Sequence, residues 1–191
     1  LHTGRVVRSA ASRWWVAAAV VIGVLGAAAG VGAVFRQPAP GVPASTTTPP
    51  PLGEQPGPRT VRFSPDAAVH PDRDSVRALL QGHFDAINLG DYRRWTTTVV
   101  AERAEQTSED VWREQYRSTT DGSIVVHRME PRPGGGLTVL LSFTSVQDPV
   151  DAPGDAPLRC LRWRVSYPVV TESDQLRIGP GDPDTSLREP C

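Results

Sequence analysis

The residues of this chain with the clearest chemistry are its two cysteines, Cys160 and Cys191. Both lie in the part of the chain that we predict to be exported, where disulfides form and persist. We therefore expect an intramolecular disulfide, with two free thiols or an intermolecular bridge as the alternatives. In the chain-entropy model this bond would stabilise the fold by ~3–4 kcal/mol. The sequence has no C-x-x-C motif, so neither a redox motif nor a zinc knuckle is predicted.

Titratable side chains gather near the end of the first predicted helix, at His83, Asp85 and Tyr92. His83 and Asp85 are two residues apart, about 200° around a helix, so they face opposite sides and form no His–Asp dyad. We interpret His83 as a histidine at the edge of the core. The four His residues have no metal-ligand spacing. No catalytic, cofactor-binding or metal-binding residue is assigned.

Two arginines, Arg162 and Arg164, share one face of a predicted strand. They could bind an anion, but on the solvated side of a sheet we expect cross-strand pairs with Asp or Glu. No G-x-S-x-G, Walker or G-x-G-x-x-G pattern is present, and the glycines 134–136 indicate a hairpin turn. The chain is therefore not predicted to be an enzyme or to need a cofactor.

The charge of the whole chain is nearly balanced, with 20 basic residues, all of them Arg, 21 acidic ones and a net charge of −1. This balance, with only 2 Cys, excludes a strongly basic nucleic-acid binder and a disulfide-dense miniprotein. The four arginines of residues 1–36 are accompanied by no acid, whereas the rest of the chain is acidic. The two parts are therefore predicted to lie in different environments.

Residues 14–35 form a stretch of 22 residues without a charge. As a helix they would span ~33 Å, enough to cross a hydrocarbon core of ~30 Å. The excess of arginine before this segment favours a cytoplasmic tail at residues 1–13. We predict an uncleaved signal anchor in the lipid bilayer, with a signal peptide cleaved near residues 31–33 as the alternative. In both cases the rest of the chain is extracytoplasmic, and in the second it is secreted.

Small residues in this predicted span match the small-xxx-small dimerisation pattern at Gly26 and Gly30. The segment is so rich in Ala and Gly that such a match is expected by chance. Self-association through this face is therefore only weakly indicated.

Residues 36–65 are predicted to be a Pro/Thr-rich linker, since nine Pro occur within residues 37–65 and no apolar period is present. Residues 66–191 then form the extracytoplasmic domain. Helical spacing predicts a helix over residues 76–87 that stops at Gly90, a short second helix after Asp91, and a third over residues 108–117. Alternating patterns after a turn at Asp121-Gly122 predict strands over residues 123–130, 137–146, 159–170 and 175–178, followed by a Gly/Pro-rich tail. The predicted fold is α+β, with three helices packed on a curved antiparallel sheet of about four strands.

The order of these elements resembles the nuclear transport factor 2-like superfamily of cone-shaped α+β domains. The resemblance rests on the helix at residues 76–87, the NLGDY sequence that ends it at residues 88–92, Trp95, and the LRWRV strand at residues 161–165. The whole layout is similar to single-pass exported members found in high-GC Gram-positive bacteria. It implies a curved sheet around a long helix with a pocket at the open end. In this chain the pocket would be lined by aromatic residues, namely Phe84, Tyr92, Trp95, Trp163 and Tyr167.

The function predicted from these features is a membrane-anchored extracytoplasmic interaction or accessory domain of a cell-envelope assembly, with an unidentified protein partner. The anchor, the spacer and the lack of a catalytic constellation favour it. The alternative is a small-ligand binder, or an isomerase- or dehydratase-like enzyme, that uses the cone pocket. That alternative predicts an open cavity with a buried Asp or His at its wall.

Overall fold

The structure is a computed structural model that describes residue 53 and residues 55–154, 156–181 and 185–191. The predicted cytoplasmic tail at 1–13, the predicted transmembrane helix at 14–35 and most of the predicted linker at 36–65 lie outside these residues. No helix within the described part is both long and apolar enough to cross a membrane.

The longest element is helix α2, Arg73–Leu89, which confirms the helix predicted from the apolar spacing of residues 76–87. Its inward face is apolar, and Val76, Leu80 and Phe84 are almost fully buried. The helix ends at Gly90, whose φ of 64° is left-handed and whose N–H bonds to the carbonyls of Ala86 and Ile87. Glycine is favoured there because other residues are strained at positive φ.

Within the described residues four shorter helices accompany α2, where the sequence predicted only two. The two predicted ones begin at side-chain caps: Asp91 accepts from the N–H of Arg94, and Ser108 from that of Val111. The other two were not predicted, because they contain no large apolar residue that would mark a helical period. In chain order the four are α1 Pro65–Ala68, α3 Tyr92–Thr96, α4 Ala101–Gln106 and α5 Glu109–Gln115.

In the described part of the chain six strands form one mixed sheet, so the fold is α+β as predicted, but with more strands and one parallel pair. The order is β1-β2-β3-β4-β5, and β6 also pairs with β4. The neighbours β2, β3, β4 and β5 are antiparallel. The strands are β1 Arg62–Phe63, β2 Thr120–Pro131, β3 Leu137–Val146, β4 Cys160–Glu172, β5 Gln175–Ile178 and β6 Ser186–Pro190.

The core lies between the helices and one face of this sheet. Along β3 the buried residues alternate with partly exposed ones, and Val139 and Leu141 face inward as the sequence predicted. On β4 the inward residues Leu161 and Val165 continue the same layer. The alternating pattern therefore identified the buried face of both central strands correctly.

The parallel strand β1 lies inside the range that the sequence assigned to the linker. Its residues pair with Val125 and Val126 of β2, and the preceding Val61 is fully buried in the core. The chain here also lies close to β2: a Cβ added at Gly122 would be 2.5 Å from the carbonyl oxygen of Pro56. The folded domain therefore begins before residue 66. The sequence did not predict this strand, because two apolar residues among prolines, Val61 and Phe63, are too weak a signal.

Strand β6 occupies a region that was expected to be an irregular tail. It pairs with the first half of β4, while β5 pairs with the second half along the same edge. Ile178 pairs with Val169 of β4, and Ser186 pairs with Val165. More residues lie between Ile178 and Ser186 than between these two partners, so the edge formed by β5 and β6 is interrupted there. All five residues of β6 are exposed, so no hydrophobic period reveals this strand in the sequence.

The predicted disulfide between Cys160 and Cys191 is present. It joins the first residue of β4 to the residue that follows β6, with 5.5 Å between the two Cα atoms. Because β6 contributes no buried side chain, its position depends on backbone pairing and on this covalent link.

We expect the double substitution Cys160→Ser with Cys191→Ser to lower the free energy of unfolding by ~3–4 kcal/mol, because the unfolded chain regains the entropy that the bond removes. Urea denaturation would measure the change. Wild-type protein reduced with dithiothreitol is the control and should lose as much stability. Equal stability of the variant and the oxidised wild type would contradict a structural role for the bond.

Candidate functional site

An open cavity of about 520 Å³ lies between the helices and the inward face of the sheet. Phe84 of α2, Arg103 of α4 and Tyr116 after α5 form its helical side. Asp121, Ser145, Trp163 and Tyr167 come from the sheet, and Gly179, Gly181, Thr185 and Ser186 come from the interrupted edge between β5 and β6. A concave site with apolar walls and a few convergent polar groups is the usual form of a small-molecule site.

Three of the five residues predicted to line a pocket do line this cavity, namely Phe84, Trp163 and Tyr167. The other two, Tyr92 and Trp95, do not. They pack instead with Trp112, with ring centroids 5.7 Å apart, and Trp95 is only 2% exposed. The hydroxyl of Tyr92 donates to the carbonyl oxygen of Thr107 at 2.7 Å.

Aromatic side chains from α2 and the sheet meet at the cavity. Phe143 and Trp163 are register partners on β3 and β4, and their rings stack at 6.2 Å with 13° between the planes. Phe84 meets Phe143 edge-on at 5.0 Å. An apolar part of a molecule in the cavity would contact these rings.

The acid of the site is Asp121, which lies near the start of β2 and is only 2% exposed. Its side chain accepts a hydrogen bond from the hydroxyl of Ser145, its register partner on β3. Burial raises the pKa of Asp121 to about 6, against the opposing effect of the Ser145 bond. The carboxyl group therefore titrates close to neutral pH.

The backbone of Asp121 is held by the side chain of Asn88 at the end of α2. The Asn88 Oδ1 accepts from the N–H of Asp121 at 2.7 Å, and its Nδ2 donates to the carbonyl oxygen of Asp121 at 3.0 Å. One amide side chain thus satisfies both backbone groups of the residue that carries the acid.

His83 lies in the buried layer of α2 and is 1% exposed. Its Nδ1 is 2.8 Å from the Thr98 hydroxyl, which donates its own proton to the carbonyl oxygen of Trp95. Nδ1 therefore carries a proton and donates to Thr98. Burial, followed by the charge of Arg103, lowers the pKa of His83 to about 3. The ring is neutral and structural, in agreement with the sequence interpretation.

Two phenols reach the cavity, Tyr116 and Tyr167. Burial raises the pKa of both above the usual value, so they stay protonated. Neither hydroxyl has a hydrogen-bond partner among the residues that the structure describes. Each is therefore a neutral donor available to a molecule in the cavity.

The cation of the site is Arg103. Its guanidinium carbon lies 5.7 Å from the centroid of the Trp95 ring, within cation–π distance. It forms no ion pair with any described residue. Its charge contributes to the lowered pKa of His83 and opposes the rise in the pKa of Tyr116 and of Tyr167.

No family model, no curated protein and no solved structure matches this chain. The resemblance to the nuclear transport factor 2-like superfamily therefore stays a prediction. The site has to be interpreted from its own geometry.

Sequence reasoning did not find Asp121, Arg103 or Tyr116. Asp121 was interpreted as part of a turn because Asp-Gly is a turn signal, yet β2 begins at Thr120 and includes both residues. A shift in the β2–β3 register follows Gly122, and Ser123 has a φ of 50°. This β-bulge allows Asp121-Gly122, which resembles a turn in sequence, to lie inside a strand. The sequence contains no separate signal for the bulge.

The arginines Arg162 and Arg164, considered as an anion site, lie on the exposed side of β4. Arg164 is 3.9 Å from Glu189 of β6, a cross-strand contact of the expected kind. Within the described residues, no group of three or more His, Cys, Asp or Glu side chains is placed to hold a metal ion.

We expect Asp121→Asn to become more stable relative to the wild type as the pH rises. In the folded state the pKa of Asp121 is about 6, above the usual value of 3.8, so the proton on Asp121 stabilises the fold at low pH, and this contribution is lost between about pH 4 and pH 6. The difference between the two pKa values corresponds to roughly 3 kcal/mol between acidic and neutral pH.

Urea denaturation of both proteins across this pH range measures the difference. Asn can still accept from Ser145, so the substitution removes the charge and leaves the hydrogen bond. Asp110→Asn, at an exposed position of α5, is the control and should show no such trend. A pH-independent difference between Asp121→Asn and the wild type would show that Asp121 does not titrate in this range.

Proposed function

We propose that this chain is a membrane-anchored, extracytoplasmic accessory protein of the cell envelope, and that its folded domain acts by binding a small organic molecule in the cavity. The sequence supports the anchored, exported topology. The cavity of about 520 Å³, which opens to solvent and has Asp121 at its wall, carries the binding part of the proposal.

Size and surface support a small molecule as the occupant. A volume of this order matches a ligand of drug-like size, and such sites combine apolar walls with few polar groups. Here the stacked pair Phe143–Trp163 provides the apolar wall. The hydroxyls of Tyr116 and Tyr167 and the guanidinium of Arg103 provide the polar groups.

Acid–base catalysis on the bound molecule is a second candidate function. One observation favours it: the pKa of Asp121 is raised to about 6, which suits a general base near neutral pH. However, Asp121 is bonded to Ser145, and the buried His83 points its Nδ1 at Thr98 instead of Asp121. A binding function therefore explains more of the contacts at the cavity than acid–base catalysis does.

The protein partner in the cell envelope also remains a proposal. It rests on the predicted anchor at residues 14–35 and the spacer that follows. The weaker proposal of self-association through Gly26 and Gly30 concerns residues outside the described part of the chain.

We expect naphthalene-2-carboxamide, a neutral planar probe, to bind the full chain in detergent micelles and to lose binding in Gln115→Trp. Gln115 lies on the cavity wall and is exposed, so an indole there fills the site from α5 without disturbing the core. Isothermal titration calorimetry would measure the affinity, with empty micelles as the blank.

The matched control is Gln106→Trp, which adds the same side chain to α4 outside the cavity. It should bind the probe as the wild type does. If Gln115→Trp binds the carboxamide as tightly as the wild type, or if no protein-dependent binding is seen, the cavity is not a binding site for such molecules.

A further inference from the structure

Three hydrogen-bond donors at the cavity have no acceptor among the described residues: the guanidinium of Arg103 and the hydroxyls of Tyr116 and Tyr167. All three residues line the same cavity. A guanidinium or a phenol at a cavity wall bonds to a protein acceptor, to a ligand or to water. Since the described residues supply no acceptor, these convergent donors are available to an acceptor from outside the chain.

Several of the described arginines pair with carboxylates, whereas Arg103 does not. The pairs are Arg73 with Asp74, Arg94 with Asp85, Arg113 with Glu109, Arg117 with Asp151, Arg128 with Glu130, and Arg164 with Glu189. The guanidinium of Arg103 is instead positioned by the ring of Trp95, which leaves its N–H groups available. Trp95 is buried in a cluster with Tyr92 and Trp112, so this support is rigid.

The acids at the cavity do not neutralise Arg103. Asp121 bonds to Ser145 and forms no ion pair with Arg103 within the described residues. Asp151 is held by the hydroxyl of Ser118 and by Arg117. Within the described residues, no carboxylate in contact with Arg103 therefore offsets its positive charge.

We propose that Arg103, Tyr116 and Tyr167 form an anion-binding subsite, and that the ligand of the cavity is an organic anion with a planar apolar body. This inference rests on the proposed function, because it assigns the chemical class of the bound molecule. The guanidinium supplies charge-assisted hydrogen bonds to a carboxylate, and the two phenols donate to its remaining lone pairs. The stacked rings of Phe143 and Trp163 receive the apolar body.

The titratable groups around the subsite determine how its affinity for an anion changes with pH. Both tyrosines stay protonated because burial raises the pKa of each. His83 remains neutral above pH of about 3. Asp151 is ionised, because its bonds to Ser118 and Arg117 lower its pKa. Among these described groups Asp121 is the one that changes charge near neutral pH, and its negative form repels an anion.

The test compares naphthalene-2-carboxylate with naphthalene-2-carboxamide, which have the same shape and differ in charge. We expect the wild type to bind the carboxylate about tenfold more tightly than the amide, since hydrogen bonds between ionised groups are about twice as strong as neutral ones. Arg103→Gln should abolish this preference and leave amide binding nearly unchanged. Calorimetry on the full chain in micelles measures all four affinities.

Arg93→Gln is the matched control. Arg93 is an exposed residue of α3, outside the cavity, and its loss removes the same charge from the protein. It should keep the full preference for the carboxylate. A double variant, Tyr116→Phe with Tyr167→Phe, keeps the rings and removes only the hydroxyls, so it should reduce the preference several-fold even if Arg103→Gln folds poorly.

A further readout separates anion binding from a structural effect of Arg103. Carboxylate affinity should rise several-fold as the pH falls from about 7.5 to about 5.5, and Asp121→Asn should remove this dependence. If Arg103→Gln retains the carboxylate preference while both probes still bind, the anion subsite is refuted and the binding function stands. If neither probe binds the wild type, the binding function itself fails.

Discussion

Asn88 connects the longest helix to the sheet through two hydrogen bonds to one residue. Its amide accepts from the N–H and donates to the carbonyl oxygen of Asp121, at the point where β2 is irregular. Backbone groups in a bulge lack their ladder partners, and buried ones are costly when unpaired. The side-chain amide of Asn88, at the end of α2, provides both hydrogen bonds. It thereby fixes the distance between α2 and β2 beside the cavity. The position of the acid and the width of the cavity both depend on this contact.

Burial and the charge of Arg103 determine the properties of the polar groups at the cavity. Burial keeps Tyr116 and Tyr167 protonated and raises the pKa of Asp121 to about 6. Arg103 contributes a positive charge that no carboxylate in the described part of the chain pairs with. The result is a wall that donates hydrogen bonds over a wide pH range, with a single group whose charge varies. Such a wall favours ligands that carry hydrogen-bond acceptors over ligands that carry hydrogen-bond donors.

The elements with strong periodic patterns were predictable, and those that depend on tertiary contacts were not. The helix over residues 76–87, its stop at Gly90 and the buried faces of β3 and β4 follow from apolar spacing alone. Strand β6 has no buried residue, and β1 is two residues long, so both depend on neighbours distant in sequence. Asp121 was missed because its local sequence favours a turn, whereas contacts with Asn88 and Ser145 place it in a strand. The aromatic residues were divided incorrectly between pocket and core, because spacing on α3 does not reveal that Trp95 faces Trp112.

The link between Cys160 and Cys191 has a consequence for how the protein is made. Thr185 and Ser186, at the start of β6, form part of the cavity wall, and the far end of that strand is tied to β4 by the disulfide. Thiols remain reduced in a cytosolic environment, so a chain kept there would lack this covalent attachment of the wall. In the exported topology that we propose, the cavity therefore acquires its final, disulfide-linked wall only after the domain has left the compartment in which it was translated.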